Sequence, residues 1–133
     1  MRRYLTLLGV VSAIAASGCG EAAAPASVIV SAQLANAGST DRAMLVEVVG
    51  ADTSARIDSV LAPASSVYRL FTQRESATRW RAIVTGNLSD GVLLRLAVPG
   101  KSPTSAYTAT ILDVADASFA TVAPGSRAVT IAR

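Results

Sequence analysis

The chain has 133 residues, of which 51% are hydrophobic and only 5% aromatic, so it fits one small domain and excludes two. Charged residues make up 16%, below the roughly 25% of an average globular protein, which argues against a disordered chain. The formal net charge of +3 falls to +1 without Arg2 and Arg3, so no nucleic-acid partner is expected. Histidine is absent and Cys19 is the only cysteine, which excludes an intramolecular disulfide.

The N-terminus has the layout of a signal peptide. Arg2 and Arg3 precede an apolar run over residues 4–16, and small residues stand directly before Cys19. A membrane-spanning helix needs about 20 residues, and this run is shorter. If the run forms a helix, its apolar residues lie on all sides and leave no polar face. This is typical of a signal-peptide helix and not of an amphipathic core helix.

Residues 16–19 (ASGC) resemble the lipobox of bacterial lipoproteins. The resemblance implies that the Cys19 thiol receives a diacylglyceryl group and that signal peptidase II cuts directly before this residue. Ala16 departs from the family pattern, which usually has Leu there. Two alternatives are an ordinary secretory signal, cut within 15–18 or 22–24, and an uncleaved anchor. The lone cysteine favours the lipoprotein, because an exported protein would otherwise carry a free thiol.

This resemblance divides the chain into a signal peptide (1–18), an acylated cysteine with a short tether (19–27) and a folded domain (28–133). The protein is then exported and bound to the cell membrane or outer membrane through lipid on Cys19. Gly20, in place of Asp, implies the outer membrane where the cell has one. An extended residue spans 3.3 to 3.4 Å, so the eight residues 20–27 reach at most about 27 Å and keep the domain close to the lipid.

From residue 28 onward, short segments rich in Val, Ile, Leu, Thr and Tyr alternate with clusters of Gly, Pro, Asn, Asp and Ser. This pattern is typical of all-β proteins and predicts a sandwich of about seven to eight short antiparallel strands. The predicted strands cover residues 28–34, 43–49, 55–61, 66–72, 79–85, 92–98, 106–112 and 128–132. The stretch 113–123 is expected to be irregular, with Phe119 and Val122 holding it to the core.

Alternation with a period of two predicts which side of each strand is buried. Around Trp80, the apolar side includes Ala82 and Val84, whereas Arg79, Arg81 and Ile83 take the other side. Trp80 is the only tryptophan, and one indole buries roughly 150 to 250 Å². We therefore expect Trp80 at the centre of the core.

Residues 107–111 (YTATI), which follow Pro103 and a short polar segment, resemble the penultimate strand of immunoglobulin-like and fibronectin-III-like domains. The resemblance implies an immunoglobulin-like β-sandwich, preceded here by the signal-peptide helix. It also implies a tyrosine corner, in which Tyr107 would bond back to the preceding loop. The alternative is an ordinary core tyrosine on a strand, and cohesin-like or carbohydrate-binding sandwiches share the same strand rhythm.

Groups suited to catalysis are scarce, so no enzyme activity, cofactor or catalytic residue is expected. Histidine is absent, Cys19 is assigned to lipid, and no phosphate-binding glycine motif occurs. The carboxylate pairs Asp113 with Asp116 and Asp52 with Asp58 are better explained as turn residues. Oxygen donors for calcium are available, but they form no dense loop, and no metal site is predicted. These donors are Asn36, Asp41, Asp90, Asp113 and Asp116.

Arginine is the one charged residue type that is concentrated in a part of the sequence. Four arginines alternate away from the predicted core side and form a candidate anion-binding face, with Glu47 and Glu75 available to neutralise part of it. They are Arg69, Arg79, Arg81 and Arg95. Guanidinium groups pair with phosphate and carboxylate, so anionic lipid or an envelope protein is a candidate partner. The alternative is a solvated face that prevents pairing between sheet edges.

These observations predict a lipid-anchored envelope protein whose β-sandwich is a non-catalytic binding or structural module. The alternative function is a carbohydrate- or calcium-binding sandwich exported to the cell surface. A sugar platform would need exposed, coplanar aromatic rings, for which Phe71 and Phe119 are the available residues.

Overall fold

The computed structural model describes residues 26–64 and 67–133. It confirms the predicted β-sandwich, because two four-stranded antiparallel sheets pack against each other. Its strands are β1 (Ser27–Ala35), β2 (Asp41–Gly50), β3 (Ser59–Leu61), β4 (Arg69–Ser76), β5 (Arg79–Thr85), β6 (Gly91–Pro99), β7 (Tyr107–Asp116) and β8 (Ala128–Ala132). The first sheet has the order β3-β6-β1-β8, and the second sheet has the order β4-β5-β2-β7. The predicted signal-peptide helix lies outside the described residues.

Three strands differ from their predicted ranges by more than two residues at one end or both. Strand β3 is short because residues 52–55 form a turn, in which the Asp52 carboxylate accepts hydrogen bonds from the N–H groups of Ser54 and Ala55. Strand β4 lies further along the chain than 66–72. Strand β7 continues to Asp116, so the first part of the stretch expected to be irregular is a strand.

The core lies between the sheets and follows the predicted alternation. Met44, Val46 and Val48 of β2 are buried, whereas the residues between them face outward. On β6, however, Leu93 and Leu94 are consecutive and both buried. The register of β1 and β6 shifts at this point, and such a bulge re-aims one side chain relative to the strand's alternation. A bulge therefore adds one leucine to the core beyond what alternation predicts.

The expectation that Trp80 lies at the centre of the core is wrong. Its side chain faces inward as predicted but is only partly buried, and its indole N–H donates a 3.1 Å hydrogen bond to the Ile57 carbonyl. The largest fully buried side chains are instead aliphatic and include Met44, Leu94 and Leu96. The indole has a polar group that needs a partner, and here a loop carbonyl at the core's margin supplies it.

Tyr107 is buried, but its hydroxyl does not bond to the loop directly before it. It donates a 3.0 Å hydrogen bond to the carbonyl of Arg56, 51 residues away. The tyrosine thus connects β7 to the segment that leads into β3, which joins the second sheet to the first. The strand and its buried tyrosine are as the resemblance to immunoglobulin-like domains implies. The hydrogen bond of a tyrosine corner, from Tyr107 to the loop directly before it, is not formed.

The two ends of the sandwich carry different parts of the chain. Ser27 begins β1 opposite Pro99, and the carbonyl of Ala26 accepts a hydrogen bond from the Gly100 N–H at this end. The opposite end, called the distal end below, carries the connections β1–β2, β3–β4, β5–β6 and β7–β8. The strands and the buried apolar residues of the described part of the chain form one core within Ser27–Arg133.

Candidate interaction surface

The predicted lipidation residue, Cys19, lies outside the described residues. Within residues 26–64 and 67–133, no helix is long and apolar enough to cross a membrane.

The four predicted arginines do not form one face. Arg69, Arg79 and Arg81 lie on the outer side of the second sheet, on strands β4 and β5. Arg95 lies on β6 in the first sheet, and its Nε donates a 2.9 Å hydrogen bond to the carbonyl of Ala62. The expectation that Arg95 shares a face with the others is wrong, because β5 and β6 are consecutive in sequence but belong to different sheets.

Two carboxylates neutralise much of the remaining arginine cluster. Glu47 accepts from Arg79 Nη1 at 3.1 Å through one oxygen and from Arg81 Nε at 3.2 Å through the other. Glu75 pairs with the same Arg81 Nε at 3.1 Å. Among residues 26–64 and 67–133, the side chain of Arg69, alone of these four arginines, has no hydrogen-bond or ion-pair partner. The outer side of the second sheet is therefore less basic than the sequence suggests.

An apolar depression lies beside this cluster and is called the outer-face depression below. Phe71 and Ile83 stand opposite each other on β4 and β5, and Leu45 stands opposite Ile83 on β2. The depression measures about 400 Å³ and is also lined by Thr72, Gln73, Arg81 and Ala82. Phe71 is 59% and Ile83 43% exposed. Apolar side chains are thus clustered on a surface that ordinary alternation would leave polar.

The sequence contained a signal for part of this depression. Alternation placed Ile83 on the same side as Arg79 and Arg81, where a branched apolar residue is unexpected. Alternation could not show that Leu45 and Phe71 flank Ile83. This arrangement depends on which strands are neighbours and in which register they pair.

Phe119 does not hold its segment to the core. It is 91% exposed and lies in a tight turn at the distal end, after β7. Val122, in contrast, packs against the core as expected, and its N–H donates to the Val114 carbonyl at 2.8 Å. The expectation was therefore right for Val122 and wrong for Phe119.

The turn that carries Phe119 is stabilised by hydrogen bonds to Asp116. One oxygen of this carboxylate accepts hydrogen bonds from the N–H and Oγ of Ser118 and from the N–H of Ala120. The Phe119 N–H also donates to the Asp116 carbonyl at 3.1 Å. These bonds, chiefly that from the Ser118 hydroxyl, hold the pKa of Asp116 below its ordinary value. Residues 116–120 are called the aromatic tip below.

The backbone at Phe119 is strained. Its φ is 62°, in the left-handed region that Gly and Asn occupy more readily. A bulky side chain there costs roughly 1 to 2 kcal/mol. Gly125 has a similar φ of 57° in the same connection. A phenylalanine at such a position, almost fully exposed, has no explanation in the stability of the domain.

A buried ion pair ties β2 to the connection before β8 at the distal end. Asp41 is fully buried and pairs with Arg127, whose Nη1 also donates to the carbonyls of Ala123 and Pro124. The Gly38 N–H donates to the Asp41 carboxylate at 2.8 Å. A Cβ at Gly38 would lie 2.8 Å from Asp41 Oδ1 and would also collide with the Arg127 guanidinium, so this close approach requires glycine.

The five candidate calcium donors each make contacts within the protein. Asp41 pairs with Arg127, and Asp116 holds the aromatic tip. Asp90 accepts from the Ala37 N–H, Asp113 accepts from the Val114 N–H, and the Asn36 side chain donates to the Ser126 carbonyl. In the part of the chain that the structure describes, no group of three or more His, Cys, Asp or Glu could hold a metal ion.

The exposed aromatic rings do not form a sugar platform. Phe71 lies on β4 and Phe119 follows β7, at opposite edges of the second sheet. Three strand spacings of about 4.8 Å place these edges roughly 14 Å apart. The two rings therefore cannot act as one coplanar pair.

In comparisons with known proteins, no family model, no curated protein and no solved structure matches the chain.

Proposed function

We propose that this chain is a lipid-anchored protein of the bacterial cell envelope whose β-sandwich is a non-catalytic binding module. The anchor would be diacylglyceryl on Cys19, and residues 20–27 would tether the domain to the cell membrane or outer membrane. Support for the anchor comes from the apolar N-terminal run and from residues 16–19. Support for a binding role comes from exposed apolar side chains on the domain.

The observation that carries the binding role is the outer-face depression. Its walls include Phe71 and Ile83, two large apolar side chains that a monomer gains nothing by exposing. Aromatic residues in such depressions supply much of the energy of protein interfaces. Because Glu47 and Glu75 neutralise Arg79 and Arg81, a protein partner is favoured over anionic lipid.

The orientation of the domain supports presentation of the distal end away from lipid. Ser27, where the tether joins the sandwich, lies at the end opposite to the aromatic tip. Strand β1 has 9 residues, and at 3.3 Å per residue it spans about 30 Å. The tether reaches no further than this, so the distal end is expected to face away from the anchoring membrane.

The anchor is tested by growing cells with a clickable palmitate analogue and isolating the protein. The wild-type chain should carry label, and Cys19→Ser should carry none, because the chain has no other thiol. Intact mass should show an acylated N-terminus at Cys19. A wild-type chain that begins at Glu21 or later without acyl mass would exclude the anchor while leaving the binding role open.

Carbohydrate binding is the second candidate, and the exposed ring of Phe71 beside Gln73 and Arg81 favours it. A sugar can stack on one aromatic ring and bond to amide and guanidinium groups at its edge. Glycan-array binding of the domain that is lost in Phe71→Ala, but kept in Ile29→Ala on the other sheet, would support this candidate.

A further inference from the structure

Two features of the surface match in size and in apolar character. The aromatic tip protrudes from the distal end with Phe119 exposed over 91% of its surface. The outer-face depression, at about 400 Å³, is open to solvent and lined mainly by apolar atoms. A cavity of about 150 Å³ is enough to hold benzene. The depression therefore has room for a phenyl ring, and a ring this exposed does not fill its own molecule's depression.

The two features are also complementary in charge. The aromatic tip carries the carboxylate of Asp116, which bonds only to neutral groups of its own turn. At the rim of the depression, Arg69 lies two residues from Phe71 and points to the same side of β4. Across the described ranges, no carboxylate pairs with Arg69, so its charge is available to an acidic partner.

The strained turn supports a role in binding. The positive φ of Phe119 and the exposure of its ring both cost free energy in the monomer, and the contacts of Asp116 keep the turn in this form. Because these bonds already order the backbone that carries the ring, this backbone loses little entropy on association. The strain is thus explained if Phe119 inserts into a pocket.

We propose that the aromatic tip of one copy binds the outer-face depression of a second copy, with Phe119 packed against Phe71, Ile83 and Leu45. This inference rests on the proposed binding role of the domain and not on the acyl anchor. The two contacting surfaces differ, so the contact is head-to-tail and leaves one free tip and one free depression. It therefore builds a closed ring or an open chain of copies, and its small area predicts weak association.

The first test measures the mass of Ala26–Arg133, which contains every strand and every buried apolar residue described above, by sedimentation equilibrium at increasing concentration. The wild-type mean mass should rise with concentration. Phe119→Gly, which removes the ring and relieves the strain, and Ile83→Lys, which blocks the depression, should each remain monomeric. Ile29→Ala removes an exposed apolar side chain from the first sheet and should associate like the wild type.

Loss of folding is separated from loss of binding by the melting temperature. At low protein concentration, where copies do not associate, Phe119→Gly should melt at the same or a higher temperature than the wild type, which would show that its monomeric state does not come from unfolding. Arg69→Glu should weaken association about two- to fivefold, as expected for one exposed charge pair. The same measurements on the full chain in detergent check that the N-terminal residues do not change the result.

Mixing the two disabled variants distinguishes this contact from a symmetric one. Phe119→Gly keeps an intact depression and Ile83→Lys keeps an intact tip, so an equimolar mixture should form one-to-one heterodimers and nothing larger. Packing of two depressions face to face would instead persist in Phe119→Gly alone. A wild-type domain that stays monomeric, a mixture without heterodimers, or association by Phe119→Gly would each overturn the proposal. None of these outcomes bears on palmitate labelling.

Discussion

Arg127 donates hydrogen bonds to both carboxylate oxygens of Asp41, which lies 86 positions earlier in the chain. Its Nε lies 2.6 Å from Oδ2, and its Nη2 lies 2.8 Å from Oδ1. The Asp41 side chain is fully buried and that of Arg127 is 12% exposed. Asp41 begins β2 in the second sheet, and Arg127 immediately precedes β8 in the first sheet. This ion pair therefore joins the two sheets at the distal end.

The pair has a clear electrostatic signature. The hydrogen bonds from Arg127 hold the pKa of Asp41 below its ordinary value despite the opposing effect of burial, and Asp41 in turn raises the pKa of Arg127. Charged groups buried in this way are stable only while paired. The mutational and pH experiments below test this dependence.

Arg127→Met should lower the free energy of unfolding by about 3 to 5 kcal/mol, because it leaves the buried Asp41 carboxylate without its cation. The matched control is Arg56→Met, which breaks the exposed pair with Asp58 and should cost less than about 1 kcal/mol. Urea denaturation measures both. Equal costs for the two variants would contradict a structural role for the buried pair.

Stability should fall below pH 4, with the sign set by the lowered pKa of Asp41. The native state binds fewer protons than the unfolded chain between the two pKa values, so the stabilisation is complete above the ordinary value of 3.8. It is lost as the pH falls through the lower pKa of the folded state. Urea midpoints between pH 2 and 7 should show the gap between wild type and Asp41→Asn narrowing towards acid. A gap independent of pH would contradict the assignment.

Trp80→Ala should cost less than the about 3 to 5 kcal/mol lost when a fully buried indole is truncated, because Trp80 is only partly buried. Trp80→Phe isolates the bond to the Ile57 carbonyl and should cost about 0.5 to 1.5 kcal/mol. Leu96→Ala, at a fully buried position, should cost about 2 to 5 kcal/mol. A loss of unfolding free energy for Trp80→Ala well above that for Leu96→Ala would contradict this prediction and indicate that the indole lies at the centre of the core.

Phe119→Gly and Gly125→Ala should change monomer stability in opposite directions. Both positions have positive φ in the connection between β7 and β8. Replacing Phe119 by glycine relieves strain and should stabilise the fold by up to about 1 kcal/mol, offset in part by the freedom that glycine adds to the unfolded chain. Gly125→Ala introduces strain and should destabilise it by about 1 to 2 kcal/mol. Thermal unfolding at low protein concentration, where copies do not associate, measures both effects.

Local pattern was sufficient to predict the strands and their buried sides. Trp80, Ala82 and Val84 alternate with Arg79 and Arg81, and this period of two recurs in the structure because a pleated strand turns successive side chains to opposite faces. The same reasoning failed for Leu93, since a bulge in the pairing with β1 interrupts the alternation.

The sequence by itself determined the number of strands and their approximate positions, the inward side of most of them, and the motif at Cys19 on which the anchor proposal rests. Only the tertiary structure decided that Arg95 leaves the arginine cluster for the other sheet, that Asp41 finds Arg127, and that Phe119 is exposed at the distal end. The physical reason is the range of the interactions. Alternation is a property of neighbouring residues, whereas ion pairs and surface depressions depend on which distant strands become neighbours and in which register.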